Sequence, residues 1–334
     1  MGLRALPKRP VLTYIVRRLL YAIPVLAISS FLIFVFVSST TDPLESIKRN
    51  PRADPHTIKL VQHRYQLDRP AIVRYGYWVR DIFTRKFGTT ILTQRPILPD
   101  IRRVLGHTLQ LVVMAELLTL LLAICIGVYS AIRQYSSFDY MSTGLSFLGL
   151  ALPTFWLALI LQIVFVNIYL KWNVRIFYVA GLSSTNPGHG FHFLADRVQH
   201  LVLPVMTIAI IGIAGYSRFM RASMLEVINA DYIRTARAKG LVERRVIVRH
   251  AFRNALVPLV TLAAIDFGTF FGGAIVTETV FNLDGMGLYF INSLTTGETY
   301  SVMAWLLIVS VMVVFFNLLA DVILGFLDPR IRLE

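Results

Sequence analysis

Charged side chains are scarce in this sequence. Asp, Glu, Lys and Arg make up 16% of its 334 residues, where a soluble domain carries about 25%. With 56% hydrophobic residues and a mean hydropathy of +0.63, that shortage excludes an ordinary soluble domain. Cysteine is limited to Cys125, so no intrachain disulfide and no cysteine-based metal site can form; Cys125, inside an apolar block, reads as a small lipid-facing or core residue. No Gly-x-x-x-x-Gly-Lys-Ser/Thr phosphate loop is present, which excludes ATP hydrolysis by that route. There is no His-Glu-x-x-His motif, and no Ser/His or paired-Asp arrangement within the apolar blocks points to an intramembrane enzyme. The seven histidines do not cluster as metal ligands, and His189 and His192 read as solvent-exposed.

What the chain has instead is long apolar runs. Six spans can be drawn, at about 14–37, 109–131, 143–169, 201–217, 255–281 and 303–326, each near the roughly 20 residues that cross a bilayer. The run from Leu19 to Val37 follows Lys8, Arg9, Arg17 and Arg18. It exceeds the about 7–15 residues of a signal-peptide core, and no small-x-small site closes it, so it reads as a retained first helix. Pro24, Pro153, Pro204 and Pro258 fall in or near spans; a bundle tolerates such kinks because neighbouring groups satisfy the freed backbone. Gly144, Gly149, Gly268, Gly272 and Gly273 suit close helix packing.

The basic excess, a net charge of +14, fits Lys and Arg gathered at the flanks of spans. No soluble basic domain exists to carry a nucleic acid, so no such partner is expected. The segment 218–254 holds nine basic and three acidic residues and 282–300 holds no Lys or Arg, which places the first inside and the second outside. Six spans then put both termini in the cytoplasm, in keeping with Arg330 and Arg332. The loop 38–108 falls outside despite 13 basic and 6 acidic residues; loops longer than about 60 residues translocate largely regardless of charge. It is expected to form a small extracytoplasmic element in which Tyr65, Tyr75, Tyr77 and Trp78 pack on each other or sit at the interface. The outer loop 170–200 is rich in Gly, Ser and Asn near Ser183–Gly190 and is expected to be mobile.

The informative segment is 218–254. Met224, Leu225, Val227 and Ile228 recur at helical spacing. Asp231 is expected to cap a new helix. Tyr232 to Lys239 has no breaker, Arg237 and Lys239 suit the last turn, and Gly240 supplies the left-handed residue that ends it. Leu241 opens a second amphipathic stretch through Val246, Ile247, Val248 and Phe252. The expectation is helix, glycine break, helix, lying along the membrane. A capped turn with a central glycine suits docking in a partner's groove; an interfacial helix on anionic lipid and a plain solvated loop are the alternatives.

The run Asp231-Tyr232-Ile233-Arg234-Thr235-Ala236-Arg237-Ala238-Lys239-Gly240-Leu241 resembles the cytoplasmic "EAA" loop of importer-type ABC permeases, specifically the dipeptide/oligopeptide/nickel family. The similarity continues through Arg249 to Pro258, Glu278-Thr279-Val280-Phe281, Gly285-Met286-Gly287, Asn317 to Asp321 and Asp328 to Arg332. It also takes in Leu67-Asp68-Arg69-Pro70, Arg74-Tyr75, Trp78 and Leu152 to Trp156. The long first outer loop resembles the B-type subunit. There are departures. The aligned Glu-Ala-Ala triplet is Arg234-Thr235-Ala236, the first outer loop has Arg85-Lys86-Phe87-Gly88 where the family often has Gly-Asp-Leu-Gly, and Asp284-Gly285 stands for Pro-Gly.

The resemblance implies an all-α integral membrane protein of six transmembrane helices with a cytoplasmic coupling helix and a sizeable first extracytoplasmic loop. Residues 1–37 would form the N-terminus and first helix, 38–108 the outer element, and 109–334 a five-helix core carrying the loop 218–254. It implies a non-catalytic permease of the cytoplasmic membrane, importing di- or oligopeptides. A second homologous permease, cytoplasmic ABC ATPase subunits that bind ATP and Mg, and an extracytoplasmic substrate-binding protein would complete the machine; this chain would hold no cofactor or metal. Asp231, Tyr232, Thr235, Ala236, Arg237, Ala238, Lys239 and Gly240 become the expected coupling contact. Glu116, Asp266 and Glu278 are the candidate pathway residues, since ionisable side chains inside spans rarely face lipid; Glu116 or Asp266 could meet a peptide amino group. Glu278 and Asp321 are expected near span ends in reach of water, and Asn317 and Asp321, four apart, to pair. A permease for nickel or another small solute and a self-contained secondary transporter or channel remain the alternatives, the last requiring an internal repeat or charged relay.

Overall fold

The computed structural model describes residues 8–40, 42–48, 54–84 and 87–327; the expectations resting on Arg85, Lys86 and Asp328 to Arg332 fall outside them. The described residues are helical apart from turns and one antiparallel bridge between Thr89 and Pro96. In chain order the helices are α1 (Lys8–Thr40), α2 (Glu45–Lys48), α3 (Pro55–Arg64), α4 (Ala71–Thr84), α5 (Ile97–Ile132), α6 (Ser137–Ala151) and α7 (Thr154–Trp172). There follow α8 (Phe191–Ile228), α9 (Asp231–Ala238), α10 (Glu243–Arg245), a π-helical turn (Val246–Ala251), α11 (Phe252–Gly273), α12 (Ile275–Val280), α13 (Met286–Thr295) and α14 (Thr299–Leu327). Among the described residues, six segments are long and apolar enough to cross a membrane: Tyr14–Thr40, Ile97–Ile132, Thr154–Trp172, Phe191–Ile228, Glu243–Phe267 and Thr299–Ile323.

Two of the expected spans are broken. The stretch 143–169 divides into α6 and α7 because Pro153 disfavours helical geometry for the residue before it; Leu152 is extended, with φ −81° and ψ 124°. The stretch 255–281 ends α11 at Gly273 and restarts as the short α12. The fourth span, drawn at 201–217, belongs to a 38-residue helix, and Pro204 lies inside it without ending it.

The long helices α5 and α8 form the centre. They approach closely enough that a Cβ at Gly127 would lie 2.6 Å from the Ser217 carbonyl oxygen, so that position admits only glycine. Ala115, Leu111, Leu201, Leu203 and Phe281 fill the core on one side of this pair; Ala123, Met220, Met224 and Val246 fill it on the other. The periphery is barer. Only 11% of the span in α7 is buried, against 44% in α8, and Leu145, Leu148, Phe155 and Trp156 of α6 and α7 are exposed. Arg18 of α1 reaches Asp321 of α14 at 2.7 Å, so Asp321 pairs across the helix interface rather than with Asn317.

The element between α1 and α5 packs onto the C-terminal end of α1 and the N-terminal end of α14. Trp78 is buried with Phe34, Val302 and Met303, and its ring lies 5.8 Å from that of Tyr75. The Tyr300 hydroxyl donates to the Tyr65 carbonyl at 3.0 Å. Glu298 accepts from the amides of Ile91 and Leu92 at 2.7 and 2.8 Å. Tyr75 and Trp78 thus pack on each other as expected, whereas Tyr65 packs on Tyr300 instead and Tyr77 stays exposed under Arg80. The loop between α7 and α8 is tied down at several points. Gln162 donates to the Val179 and Val280 carbonyls, Gly181 N–H to Phe281, and Ser184 to Asp196. The expectation of a mobile loop came from its composition; these anchors come from residues distant in sequence.

Candidate functional site

Helix α8 ends at Asn229, and Ala230 turns the chain into α9 with an extended backbone, φ −68° and ψ 148°. Ala230 holds the cap position and no side chain caps it. Asp231 therefore sits in the first turn, where its charge suits the helix dipole, rather than accepting the capping amide. Along α9 only Ile233 and Ala236 are buried. Ile233, 0% exposed, enters a core shared by Met220 and Met224 of α8, Val246 and Ala251 of the π-helical turn, and Ala255 and Leu259 of α11. Burying one such side chain stabilises by roughly 1.5–3 kcal/mol.

The end of α9 is closed by backbone. Gly240 N–H donates to the Arg237 carbonyl at 2.9 Å and Leu241 N–H to the Ala236 carbonyl at 3.4 Å, the paired bonds of a Schellman motif. Gly240 takes φ +74° with nothing within 4 Å of where a Cβ would stand, so glycine is required by conformation and not by space. Arg237 then spans the break: its Nε and Nη2 donate to Glu243 at 3.1 and 2.8 Å, and Nη1 reaches the Ile228 carbonyl. The Glu243 carboxylate in turn raises the Arg237 pKa above its ordinary value. Asn254 donates to the Tyr232 hydroxyl at 3.1 Å.

The result is a knob fastened to both α8 and α11. Of the expected contact residues, Asp231, Tyr232, Thr235, Ala238, Lys239 and Gly240 are exposed on it. Ala236 faces inward at 9% exposure, so its small side chain serves the seat of the knob. Arg237 is engaged in holding the turn. Residues not singled out from the sequence complete the surface: Val242 and Val248 are 73% and 59% exposed, and Arg244, Arg245 and Arg249 are exposed around them. Their signal was present as an apolar residue just past the glycine with basic neighbours.

A second cluster braces the base of α8. Asp139, the first acidic residue of α6, is 2% exposed and accepts from Arg221 Nε and Nη2 at 2.6 and 2.7 Å. The Ser130 hydroxyl and the Tyr135 amide donate to it as well. The Arg221 guanidinium holds this carboxyl well below the usual carboxylate range.

Of the three candidate pathway acids, Glu278 stands apart from the other two. Glu278, expected near water, is 1% exposed. It accepts from Thr108 Oγ1 at 2.6 Å, Gly287 N–H at 2.6 Å and Leu288 N–H at 3.3 Å, so it caps α13 and ties it to α5. Asp266 accepts from the Tyr216 hydroxyl at 2.9 Å. Glu116, 5% exposed, adjoins the same hydroxyl from α5.

The family described as "Binding-protein-dependent transport system inner membrane component" matches residues 123–333, and its N-terminal companion matches residues 11–99. The chain is 38% identical over 323 residues to the oligopeptide transport system permease protein OppB of Mycobacterium tuberculosis (strain ATCC 25618 / H37Rv), covering 96% of this chain and 99% of that protein. It is 37% identical over 320 residues to the oligopeptide permease AppB of Bacillus subtilis (strain 168). It is 33% identical over 338 residues to the dipeptide permease DppB of Escherichia coli (strain K12). Both alignments cover 96% of this chain and 99% of the relative. A solved amino acid ABC transporter superposes with a TM-score of 0.49 at 14% identity, over 68% of this chain and 93% of that chain.

Proposed function

The chain belongs to the family of binding-protein-dependent transport system inner membrane components, and from that premise we propose that it imports peptides as one half of a membrane pore driven by a separate ATPase. It is a multi-pass membrane permease. The knob of α9, Gly240 and α10 carries the reading. It exposes Tyr232, Lys239 and Val242 on one side and plants Ile233 in a core common to α8 and α11 on the other. A partner that grips the knob therefore moves both helices together.

In this reading the knob seats in a groove of a cytoplasmic ABC ATPase, and ATP with Mg²⁺ is bound there. Closure of the ATPase pair draws on the knob and shifts the pore between its inward- and outward-facing states; the shift requires that ATP favour one state over the other. Both termini lie in the cytoplasm. The outer element, residues 42–96, faces the substrate-binding protein. A second, related permease covers the bare face of α6 and α7. Peptide as substrate follows from the likeness to oligopeptide and dipeptide permeases.

The test is purification of the tagged chain in mild detergent from its own host, scored for co-purifying ATPase activity and, after reconstitution, for ATP-dependent peptide uptake. Co-purifying activity that vanishes with Gly240→Val supports the reading. A folded chain that brings down no ATPase overturns it.

A further inference from the structure

Between α7, α8, α11 and α12 lies an open cleft of about 360 Å³. Tyr216, Asp266 and Thr277 line it among apolar neighbours such as Ile208, Ile211 and Phe270. Its polar groups are unusual for the interior of a membrane protein. The Tyr216 hydroxyl donates its one proton to Asp266. Glu116 adjoins that hydroxyl from α5. Both Glu116 oxygens are buried without a well-formed hydrogen bond, the Tyr216 hydroxyl being the polar group beside them. Among the described residues, no Lys or Arg pairs with Glu116. Thr277, 0% exposed, lines the cleft with its hydroxyl also without a partner.

We propose that this cleft is a cation site on the translocation path, in which Asp266, Tyr216 and Thr277 receive the protonated amino group of the transported peptide, while Glu116, buried beside Tyr216 and not at the cleft wall, adds its negative charge. The proposal rests on the peptide-import reading above. A primary ammonium carries three N–H donors, and the cleft wall offers three kinds of acceptor for them: the Asp266 carboxylate, the Tyr216 oxygen and the Thr277 oxygen. Two acids placed together in a membrane interior are costly unless one is protonated or a positive charge joins them, and an ammonium supplies that charge. The apolar wall of Ile208, Ile211 and Phe270 suits the side chain that follows the amino group. Volume is adequate for the end of a peptide, since small-molecule sites begin near about 300 Å³.

The experiment uses the whole importer, purified with its ATPase, second permease and binding protein. Two probes are compared, trialanine and N-acetyl-trialanine, in two readouts. The first is the shift in melting temperature of the detergent-solubilised complex lacking the binding protein. The second is ATP-driven uptake in proteoliposomes. The doubly substituted Glu116→Gln, Asp266→Asn complex and the milder Tyr216→Phe complex are measured beside the wild type. Because the binding protein is the same throughout, its own preference cancels when each variant is expressed relative to wild type.

The expected result is a melting shift with trialanine in the wild type only, and about a tenfold loss of trialanine uptake in the double variant with less than about a twofold change for the acetylated probe. Tyr216→Phe, which keeps both carboxylates, should lose less and in the same direction. Equal losses for both probes show a structural role and overturn the proposal, as does no loss at all. If the variants instead lose a dependence on Na⁺ or K⁺, tested by replacement with N-methylglucamine, the site holds an inorganic cation and the assignment to substrate falls. A wild-type complex that shows the trialanine shift but takes up no peptide keeps the site and removes the transport reading. Uptake with no difference between probes does the reverse.

Discussion

The Glu278 carboxylate accepts the Gly287 amide at 2.6 Å, and the glycine leaves no room for anything larger. A Cβ there would stand 3.0 Å from Glu278 Oε2 and 2.9 Å from the Ile275 backbone nitrogen. The carboxylate fills the positive N-terminus of α13, while Thr108 brings in α5 from 170 residues away. The Thr108 hydroxyl also accepts from the Met286 amide at 2.8 Å. Three helices thus meet at one buried acid.

Gly287→Ala should therefore destabilise by about 1–3 kcal/mol, the usual cost of overpacking, because the atoms in the way belong to backbone and cannot swing aside. Glu278→Ala should cost at least as much, since it leaves buried amides without an acceptor. Both are read as lowered melting temperature of the purified chain. An unchanged melting point for Gly287→Ala would mean that α12 and α13 are not held this tightly.

The motif Gly285-Met286-Gly287 was visible in the sequence, but its reason was not. Nothing in the linear order says that Glu278 is buried, since an acid near the end of an apolar run reads equally well as reaching water. Asp139 and Arg221 hide in the same way: they are 82 residues apart, each in an unremarkable local setting, and only the crossing of α6 and α8 joins them. The glycine-broken knob was legible because its signals are local, lying in helix formers followed by one left-handed glycine. Its polarity was less so. Ala236 and Ala238 look alike in sequence, and one turns inward because Ile233 precedes it by three residues on the same face. The break at Pro153 was written in the Leu-Pro pair, yet the apolar run on either side outweighed it when spans were drawn by length.

Gly240 takes φ +74° in open space, so substitutions should rank by backbone tolerance and not by volume. Gly240→Asn should retain most coupling, because Asn visits the left-handed region readily; Gly240→Val should lose it, as left-handed backbone costs other residues about 1–2 kcal/mol and β-branched ones more. Membrane insertion should be normal in both. ATP-dependent uptake against expression level measures this. Equal activity of the Asn and Val variants would show that the turn does not matter.

The buried pair of Asp139 and Arg221 predicts a pH dependence with a definite sign. The folded-state pKa of Asp139 is lowered, so its contribution is complete above the unfolded value of about 4 and falls away as pH drops through and below it. Asp139→Asn should cost about 3 kcal/mol near neutrality, at the low end for a broken buried pair because the Arg221 side chain is 26% exposed. The gap between wild type and variant should narrow steadily below about pH 4. Melting curves of both proteins between pH 7 and pH 3 test this, and a gap that stays constant would contradict the pairing.

The knob presents Arg244, Arg245 and Arg249 beside exposed Val242 and Tyr232, a basic rim around an apolar tip. Charged rims mainly govern rates of encounter and partner choice, and apolar centres govern how long the complex lasts. Two kinds of change should therefore separate. Arg244→Glu with Arg245→Glu should slow assembly with the ATPase by about tenfold or more at low salt, and the deficit should shrink as ionic strength rises and the Debye length falls below about 8 Å. Val242→Ser should leave the association rate and its salt dependence nearly unchanged and speed dissociation instead. Neither group is buried or bonded to the core, so the melting temperature of the isolated chain should move little. Surface-immobilised permease in nanodiscs, titrated with the purified ATPase at two salt concentrations, gives both rates. If the double charge reversal alters dissociation alone, or if salt makes no difference to it, the arginines do not face an acidic groove and the docking surface lies elsewhere on the knob.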